Sequence, residues 1–260
     1  IRSKVHKEFN EKDISLTFSK GLQVLSAFDA NDRDMTVPMI AKKTNINRTV
    51  ARRLILTLQH LGYLECRNHT YRLTPHVLSL ASGFLQGRDF GKHVTPILRT
   101  FSEKLKEAIS FAMLDIDQAI YVAHSPGDSA MITQGFTVGS CLPLQATAVG
   151  RVLIAFSTQA QKEHIFDHVI RIQYTEETLT DIDSLKQEIE TIVTQGYAIV
   201  RNEFEKGITS LAVPVLGSNK ELIGALGIVG PNPKFEDEKQ QEQRIQSLQH
   251  CARSIAIYAG

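Results

Sequence analysis

The chain has 260 residues, with 29 Lys/Arg, 28 Asp/Glu and a formal net charge of +1, a length that accommodates two domains of ordinary size, each with its own core. Its three cysteines, Cys66, Cys141 and Cys251, are odd in number, far apart and free of CxxC spacing, which excludes a disulfide framework and a zinc ribbon and points to a reducing compartment. No run approaches the ~18 apolar residues of a membrane span, and the opening IRSKVHKEFNEKDIS lacks the apolar core of a signal peptide, so a cytoplasmic protein with no membrane partner is expected.

Charge is unevenly distributed. Residues 1–74 hold 13 Lys/Arg against 7 Asp/Glu, a net +6, and the remainder 16 against 21, a net −5; a basic third joined to an acidic remainder suggests that the first part meets a polyanion. Phe18, Leu22, Leu25 and Phe28 recur at helical spacing, so SLTFSKGLQVLSAF reads as a first amphipathic helix, ended by DANDRD. A second helix starts at TVP, with Thr36 as N-cap and Pro38 in the first turn, and runs to about Thr44. Asn45 suits the tight turn that follows. A third helix opens at Asn47 and ends at Gly62, whose missing side chain suits a C-cap.

At about 100° per residue, Val50, Leu54, Leu58 and Leu61 of this third helix fall within about 80° of one another, and Arg48, Thr49, Arg52 and Arg53 fall opposite. A short helix, a tight turn and a longer helix with polar donors at its start describe a helix-turn-helix, whose second helix enters the major groove. Arginine suits that task because its planar fork donates two hydrogen bonds to guanine O6 and N7. Arg48, Thr49 and Arg52 are therefore expected at base edges, and Arg53 at a phosphate or against its own domain; Thr36 and Asn47, at the two helix starts, complete the set. The runs YLEC and TYRLT, joined by RNH, read as a β-hairpin wing with Arg67 and His69 at its tip, facing phosphate or the minor groove. A solvated charged face is the plain alternative for the arginines, and the helix-turn-helix, wing and regional charge together weigh against it.

The run from the first helix through NINRTVARRLILTLQHLGYL to TYRLTPHVLSL resembles the N-terminal domain of the IclR family of bacterial transcription regulators. RTVARR in particular resembles the RTAARR of the branch that controls β-ketoadipate-pathway genes for aromatic acids such as protocatechuate and 4-hydroxybenzoate.

Leu73 to Phe84, with Val77, Leu78, Leu80, Ala81 and Phe84 apolar, reads as a linker helix, and Phe90, Val94, Ile97, Leu98, Phe101 and Leu105 form another amphipathic helix. The period then changes: ISFAMLDI and QAIYVAHS form a hairpin turning at Asp115 and Asp117, further strands are expected at SAMITQGF, GYAIVRNEF, GITSLAVPVL and ELIGALGIVG, and GSNK joins the last two. Helices are expected at ATAVGRVLIAFS, QAQKEHIFDHV and DSLKQEIETIVTQ, with a closing helix over about 237–258. Strands outnumber a simple βαβ alternation, so the fold class is α+β, an antiparallel sheet flanked by helices, similar to the GAF-like effector domain of the family. The expected divisions are 1–76 for the winged helix-turn-helix, 77–88 for the linker helix and 89–260 for the effector domain.

LPLQATAVGRVLIA resembles the family motif LPxHATAxGKAxLA, and GYAIVRNEFEKGITSLAVPV with LIGALGIVGP resembles the rest of its signature. The resemblance implies a small-molecule pocket at Leu142, Ala148, Val149, Ser210, Gly227 and Val229, with Met131, Cys141, Arg201 and Glu203 as neighbours. Small Ala146, Thr147, Ala148 and Gly150 would bring backbone N–H groups at a helix start close to a carboxylate, and Arg201 could clamp one bidentately or simply be an exposed strand arginine. Small residues at a helix start also serve close packing. Gly227 and Val229 stand where some relatives place hydroxyls, so the ligand here is more apolar on that side or held differently.

An enzyme is the competing class. His164 and His168 could place two metal ligands on one helical face and Cys141 could be a nucleophile, but there is no third ligand, no HExxH, GxSxG, Walker-type loop or GxGxxG. A non-specific DNA binder would have no use for the acidic remainder. The sequence thus reads as a regulator with operator DNA and a small, aromatic or other organic, acid as partners, and without cofactor or metal. One winged helix covers one half-site, so a homodimer is expected, and the resemblance implies pairing of dimers into tetramers. Phe18, Leu22 and Leu25, with Leu80 and Phe84 on the linker helix, are either dimer contacts or domain core.

Overall fold

The structure is a computed structural model that describes residues 11–29, 31–87, 90–127, 137–168 and 172–259. The chain separates into two compact units, within residues 6–87 and 88–260; Leu78–Gly87 belongs to the first.

In the first unit, α1 (Leu16–Leu25) is capped by the Ser15 hydroxyl, which accepts from the Phe18 N–H. Helix α2 (Val37–Thr44) ends on Asn45 in the left-handed region, φ 55°, and α3 (Arg48–His60) follows after two residues. Val24, Ala27, Met35, Ile40, Ala41, Ile46 and Leu64 form one core with the α3 stripe Ala51, Leu54, Ile55 and Leu58. That stripe is turned from the expected one. Val50 and Leu61 are exposed, and the core instead takes the side marked by Ala51 and Ile55.

The wing pairs β1 (Leu64–Arg67) with β2 (Thr70–Leu73) in the register Leu64↔Leu73 to Arg67↔Thr70. Its loop is the two residues Asn68 and His69, φ 50° and 63°, the double left-handed conformation that matches the twist of a tight hairpin. An isolated antiparallel bridge joins Met35 to Tyr71. After a 3-10 turn at Pro75–Val77, α4 (Leu78–Gly87) buries none of its residues. The apolar face expected on α1 divides: Leu25 and Phe28 pack against the core, whereas Phe18 is 68% exposed and Leu16 and Leu22 are exposed with it.

The second unit opens with a π-helical turn at Phe90–Val94 and α5 (Thr95–Leu105). Strands β3 (Ile109–Asp115) and β4 (Gln118–Ser125) form the expected hairpin. A strand the sequence did not announce, β5 (Cys141–Pro143), pairs with β4. SAMITQGF, residues 129–136, lies outside the described residues. Then come α6 (Ala148–Phe156), α7 (Gln159–His168), α8 (Ile182–Gln195), β6 (Ala198–Arg201), β7 (Ile208–Leu216), β8 (Leu222–Pro231), a 3-10 turn at Asn232–Phe235 and α9 (Glu238–Ala259).

The six strands make one antiparallel sheet in the order β5-β4-β3-β8-β7-β6. Helices α6 and α8 cover one face and α5 and α9 the other. Helix α6 is buried from Ala148 through Ala155, which is why ATAVGRVLIAF reads as a continuous apolar run rather than a stripe. Alternate residues of each strand therefore meet α6: Ala198 and Val200 on β6, Ala212 on β7, Ala225 on β8, Ala112 on β3, and Ala119 and Tyr121 on β4.

Candidate functional site

The candidate DNA-reading surface lies at the start of α3. Asn47 caps it, its side-chain oxygen accepting from the Thr49 N–H at 2.9 Å, so the first turn is fixed without consuming an arginine. Arg48, Thr49, Arg52 and Arg53 are all exposed. Among the described residues none of the three guanidiniums forms an ion pair, whereas Lys43, Arg67 and Arg72 each do. Lys43 lies between Asp29, at 2.6 Å, and Asp32. Its hydrogen bond, with the backbone N–H groups of Asp32 and Asn31, holds the Asp29 carboxyl at about 2, so this lysine's charge is spent within the α1–α2 loop. Thr36 occupies the N-cap position of α2 by its backbone, but its hydroxyl makes no cap hydrogen bond. On the wing, Arg67 is 67% exposed and stands 3.4 Å from Glu65, which Arg72 Nε meets at 2.6 Å. His69 is exposed at the tip.

The positions implied for a small-molecule pocket are only partly brought together. Ala148 and Val149 open α6 on the sheet, and Ser210 lies beneath them, its Oγ accepting from the Ala148 N–H at 3.2 Å. Thr147 accepts from the Gly150 N–H at 3.1 Å and donates to the Pro143 carbonyl at 2.8 Å. Two of the first three N–H groups of α6 are thus held by the protein's own hydroxyls, which narrows the expected backbone cradle for a carboxylate. Val229 is half-buried and pairs with Ser210. Gly227 has Val149 directly above it: a Cβ there would stand 3.1 Å from Val149 Cγ1, so its missing side chain seats the helix. Leu142 packs half-buried beside the α6 core. Cys141 is exposed on the edge strand, its thiol 3.9 Å from the Gly139 carbonyl.

Of the expected neighbours, two are engaged within the protein and one is not described. Arg201 points away from α6: it donates to Thr209 at 3.4 Å, to the Phe235 carbonyl at 3.1 Å and to Gln241 of α9 at 3.0 Å. Strand alternation is the reason, since Ala198 and Val200 take the α6 side of β6. Glu203 does lie on the α6 side but is engaged, accepting from Arg151 at 2.6 Å and from the Leu179 N–H at 2.7 Å. Met131 lies outside the described residues.

Two features were missed. Arg151 is 3% exposed and, besides Glu203, donates through Nε to the Gln145 carbonyl at 2.8 Å, tying α6 to the loop before it; a lone cation inside an apolar helix was the available signal, because such a charge needs a buried partner. Ser110, 1% exposed, lies 3.0 Å from His124 Nδ1. Both stand on the α6 face, where Ser110 pairs with Gly227 on one side and with His124 on the other. Burial lowers the His124 pKa, so its ring is neutral near pH 7.

The histidines of the competing reading stack on α7, with centroids 4.3 Å apart and His168 Nδ1 donating to the His164 carbonyl at 3.0 Å. Among the described residues no three His, Cys, Asp or Glu gather as a metal site. Burial pushes the Cys251 thiol up to about 12, far from nucleophilic use. Among the same residues no helix is long and apolar enough to cross a membrane.

Residues 17–67 match the IclR helix-turn-helix domain, and residues 83–257 match the C-terminal domain of the bacterial transcriptional regulator IclR. The chain is 30% identical to the Pca operon regulatory protein of Acinetobacter baylyi over 260 residues, 96% of this chain and 93% of the relative. It is 28% identical to the p-hydroxybenzoate hydroxylase transcriptional activator of the same organism, covering 96% of this chain and 93% of that one. Among solved structures, an IclR homolog from Microbacterium hydrocarbonoxydans complexed with 4-hydroxybenzoate superposes with a TM-score of 0.76 at 19% identity, covering 94% of this chain and 98% of the other.

Proposed function

We propose that this chain, which belongs to the IclR family of bacterial transcriptional regulators, reads an operator with α3 and the wing and is controlled by a small aromatic acid bound in its second unit. The family is one of regulators rather than enzymes. Residues 1–76 act as the reader, 77–88 as the linker helix and 89–260 as the sensor. The observation that carries the reading is the placement of Arg48, Arg52 and Arg53: exposed, outside any ion pair among the described residues, and on a helix whose opposite face is buried in its own core. Arg48, Thr49 and Arg52 face base edges; Arg53, Thr36, Arg67 and His69 face phosphates, and Asn47 fixes the first turn.

The aromatic acid follows from the relatives, whose names carry Pca and p-hydroxybenzoate hydroxylase regulation, and from the 4-hydroxybenzoate bound by the structural neighbour. Exposed Leu16, Phe18 and Leu22 of α1, with Leu78, Leu80 and Phe84 of α4, are the apolar side chains through which a second copy docks, and a symmetric dimer presents two readers to two half-sites. Effector control needs the ligand to prefer one arrangement of those readers by about 1–3 kcal/mol.

The test uses a duplex selected by the protein from a random pool and a scrambled control, compared by fluorescence anisotropy at one salt concentration. Arg52→Ala weakens the selected duplex by ~1–3 kcal/mol and relaxes preference at one position, whereas Arg67→Ala weakens both duplexes alike. Equal losses on both duplexes for Arg52→Ala would overturn the base-reading assignment.

A further inference from the structure

A groove of about 480 Å³ opens between α9, the end of β7 and the C-cap of α8, and it shares no residue with the positions around the start of α6. Helix α9 buries Leu248, Cys251 and Ile255 where it packs on the sheet. Beside that row run Gln249, Ala252, Arg253 and Ala256, spaced by three and four residues and so aligned on one face of the helix. Two alanines here, facing Gly196 and Gly217 across the groove, leave a gap that leucine-sized side chains would close. Pro214 and Leu216 of β7 and Ile257 of α9 complete the apolar wall, and Ile257 is 76% exposed, an apolar surface with nothing of its own chain to cover it.

The polar border carries the sign of the missing partner. Gln249, Arg253 and Ser218 line the groove, and among the described residues none of the three side chains is engaged in a hydrogen bond or ion pair. No carboxylate lines it. An apolar wall beside an unneutralised guanidinium complements a ligand with an apolar body and one negative charge. The volume selects a compact one, since it lies in the lower half of the roughly 300–1,000 Å³ of small-molecule sites. A peptide strand is a poor alternative. Edge strand β6 pairs with β7 only as far as Ala212, so an added strand would continue along Pro214, which has no N–H to give it.

We propose that this groove binds a small amphipathic carboxylate, one apolar ring or short chain bearing a single acid group. Arg253 meets the carboxylate, Gln249 stands one turn away on the same face to donate a further N–H, and Pro214, Leu216 and Ala256 pack the apolar body. A molecule seated there touches the end of α8, β7 with its turn, and α9 together, and so braces the second unit where three elements meet. The proposal rests on the lining of this groove and not on the aromatic-acid reading of the α6 site.

The experiment is methyl NMR of the full chain, labelled at isoleucine, leucine and valine, titrated with benzoate and with benzamide, which keeps the ring and lacks the charge. The Ile257 signal is identified by its loss in Ile257→Val, and those of Leu142 and Val229 in the same way. Benzoate shifts the Ile257 signal saturably, and benzamide binds about tenfold more weakly, the worth of one charge-assisted contact. Arg253→Gln weakens benzoate about tenfold, Arg253→Lys recovers part of the loss, and Ala256→Leu, which fills the groove and keeps the charge, abolishes the shift. Neither position is buried, and melting temperatures show that each variant is folded. An Ile257 signal that stays still, or that responds equally to benzamide or in Arg253→Gln, overturns the proposal. Shifts confined to Leu142 and Val229 overturn it while leaving the α6 site standing, whereas shifts at Ile257 without those two support it and count against benzoate at α6. Sedimentation of the wild type and Ala256→Leu without acid tests the other occupant: a change of oligomeric state means that a second copy fills the groove, and overturns the proposal.

Discussion

Replacing Gly150 by alanine separates two forces that act on α6 with opposite signs. Alanine in place of glycine inside a helix is worth about 1 kcal/mol of stability. Against this, a Cβ at Gly150 would stand within 3.0 Å of the carbonyl oxygen, Cα and carbonyl carbon of Leu144, all of them backbone that no rotamer change can move aside. The loop cannot retreat cheaply, because Thr147 holds Pro143 and Arg151 holds Gln145. Nor can the helix lift, because Val149 is seated over Gly227. Over-packing of this kind costs about 1–3 kcal/mol and more where backbone must shift, so the net expectation is a loss of about 1–2 kcal/mol. Gly83, in α4, is the control: nothing lies within 4 Å of its added Cβ, and Gly83→Ala should stabilise by about 0.5–1 kcal/mol. Urea unfolding followed by circular dichroism reads both, with the first unit responding to Gly83→Ala and the second to Gly150→Ala. A Gly150→Ala midpoint at or above that of the wild type would refute the view that close approach of Leu144, rather than chain flexibility, requires the glycine.

Glu203→Gln should destabilise the second unit by about 2–4 kcal/mol, since breaking one partner leaves a buried charge poorly compensated; Arg151, 3% exposed, would retain the Gln145 carbonyl and, as its anionic partner, Glu188 at 3.9 Å. Converting both Arg151 and Glu203 to leucine should recover most of that loss, and a double-mutant cycle in urea checks it. Lys43→Met should return the Asp29 carboxyl from about 2 toward its ordinary 3.8, read by NMR titration. The sign follows from the depressed pKa: the contribution is complete above about 3.8 and disappears as pH falls through about 2. With Lys43 and Asp29 side chains 33% and 51% exposed, it is under about 1 kcal/mol at neutral pH, and a larger loss in the variant would contradict that.

The first unit was legible because its signals are local. Asn47 before an apolar-periodic run marks a cap, Asn45 marks the left-handed turn, and the alternating runs around Asn68 and His69 mark a hairpin, each set by residues within a few positions of one another. What the wheel could not supply was the direction of the core. Val50 and Ala51 are neighbours in sequence, and only the packing of the unit decides that the alanine goes in.

In the second unit the elements were legible and the site was not, for a reason visible at β6. Arg201 and Glu203 both follow the run AIV and both read as polar groups near a ligand, yet one binds Gln241 of α9 and the other Arg151 of α6. Parity within the strand separates Val200 from Arg201, but which parity faces α6 depends on how six strands from four stretches of chain assemble, with β3 beside β8 across more than a hundred residues. Ser110 and His124 pair within the expected hairpin, but which face of it they share was hidden by the same distance, because only the pairing of β3 with β8 turns that face toward α6. A chemical site shared among non-local strands is fixed by register, and register is a property of the assembled sheet.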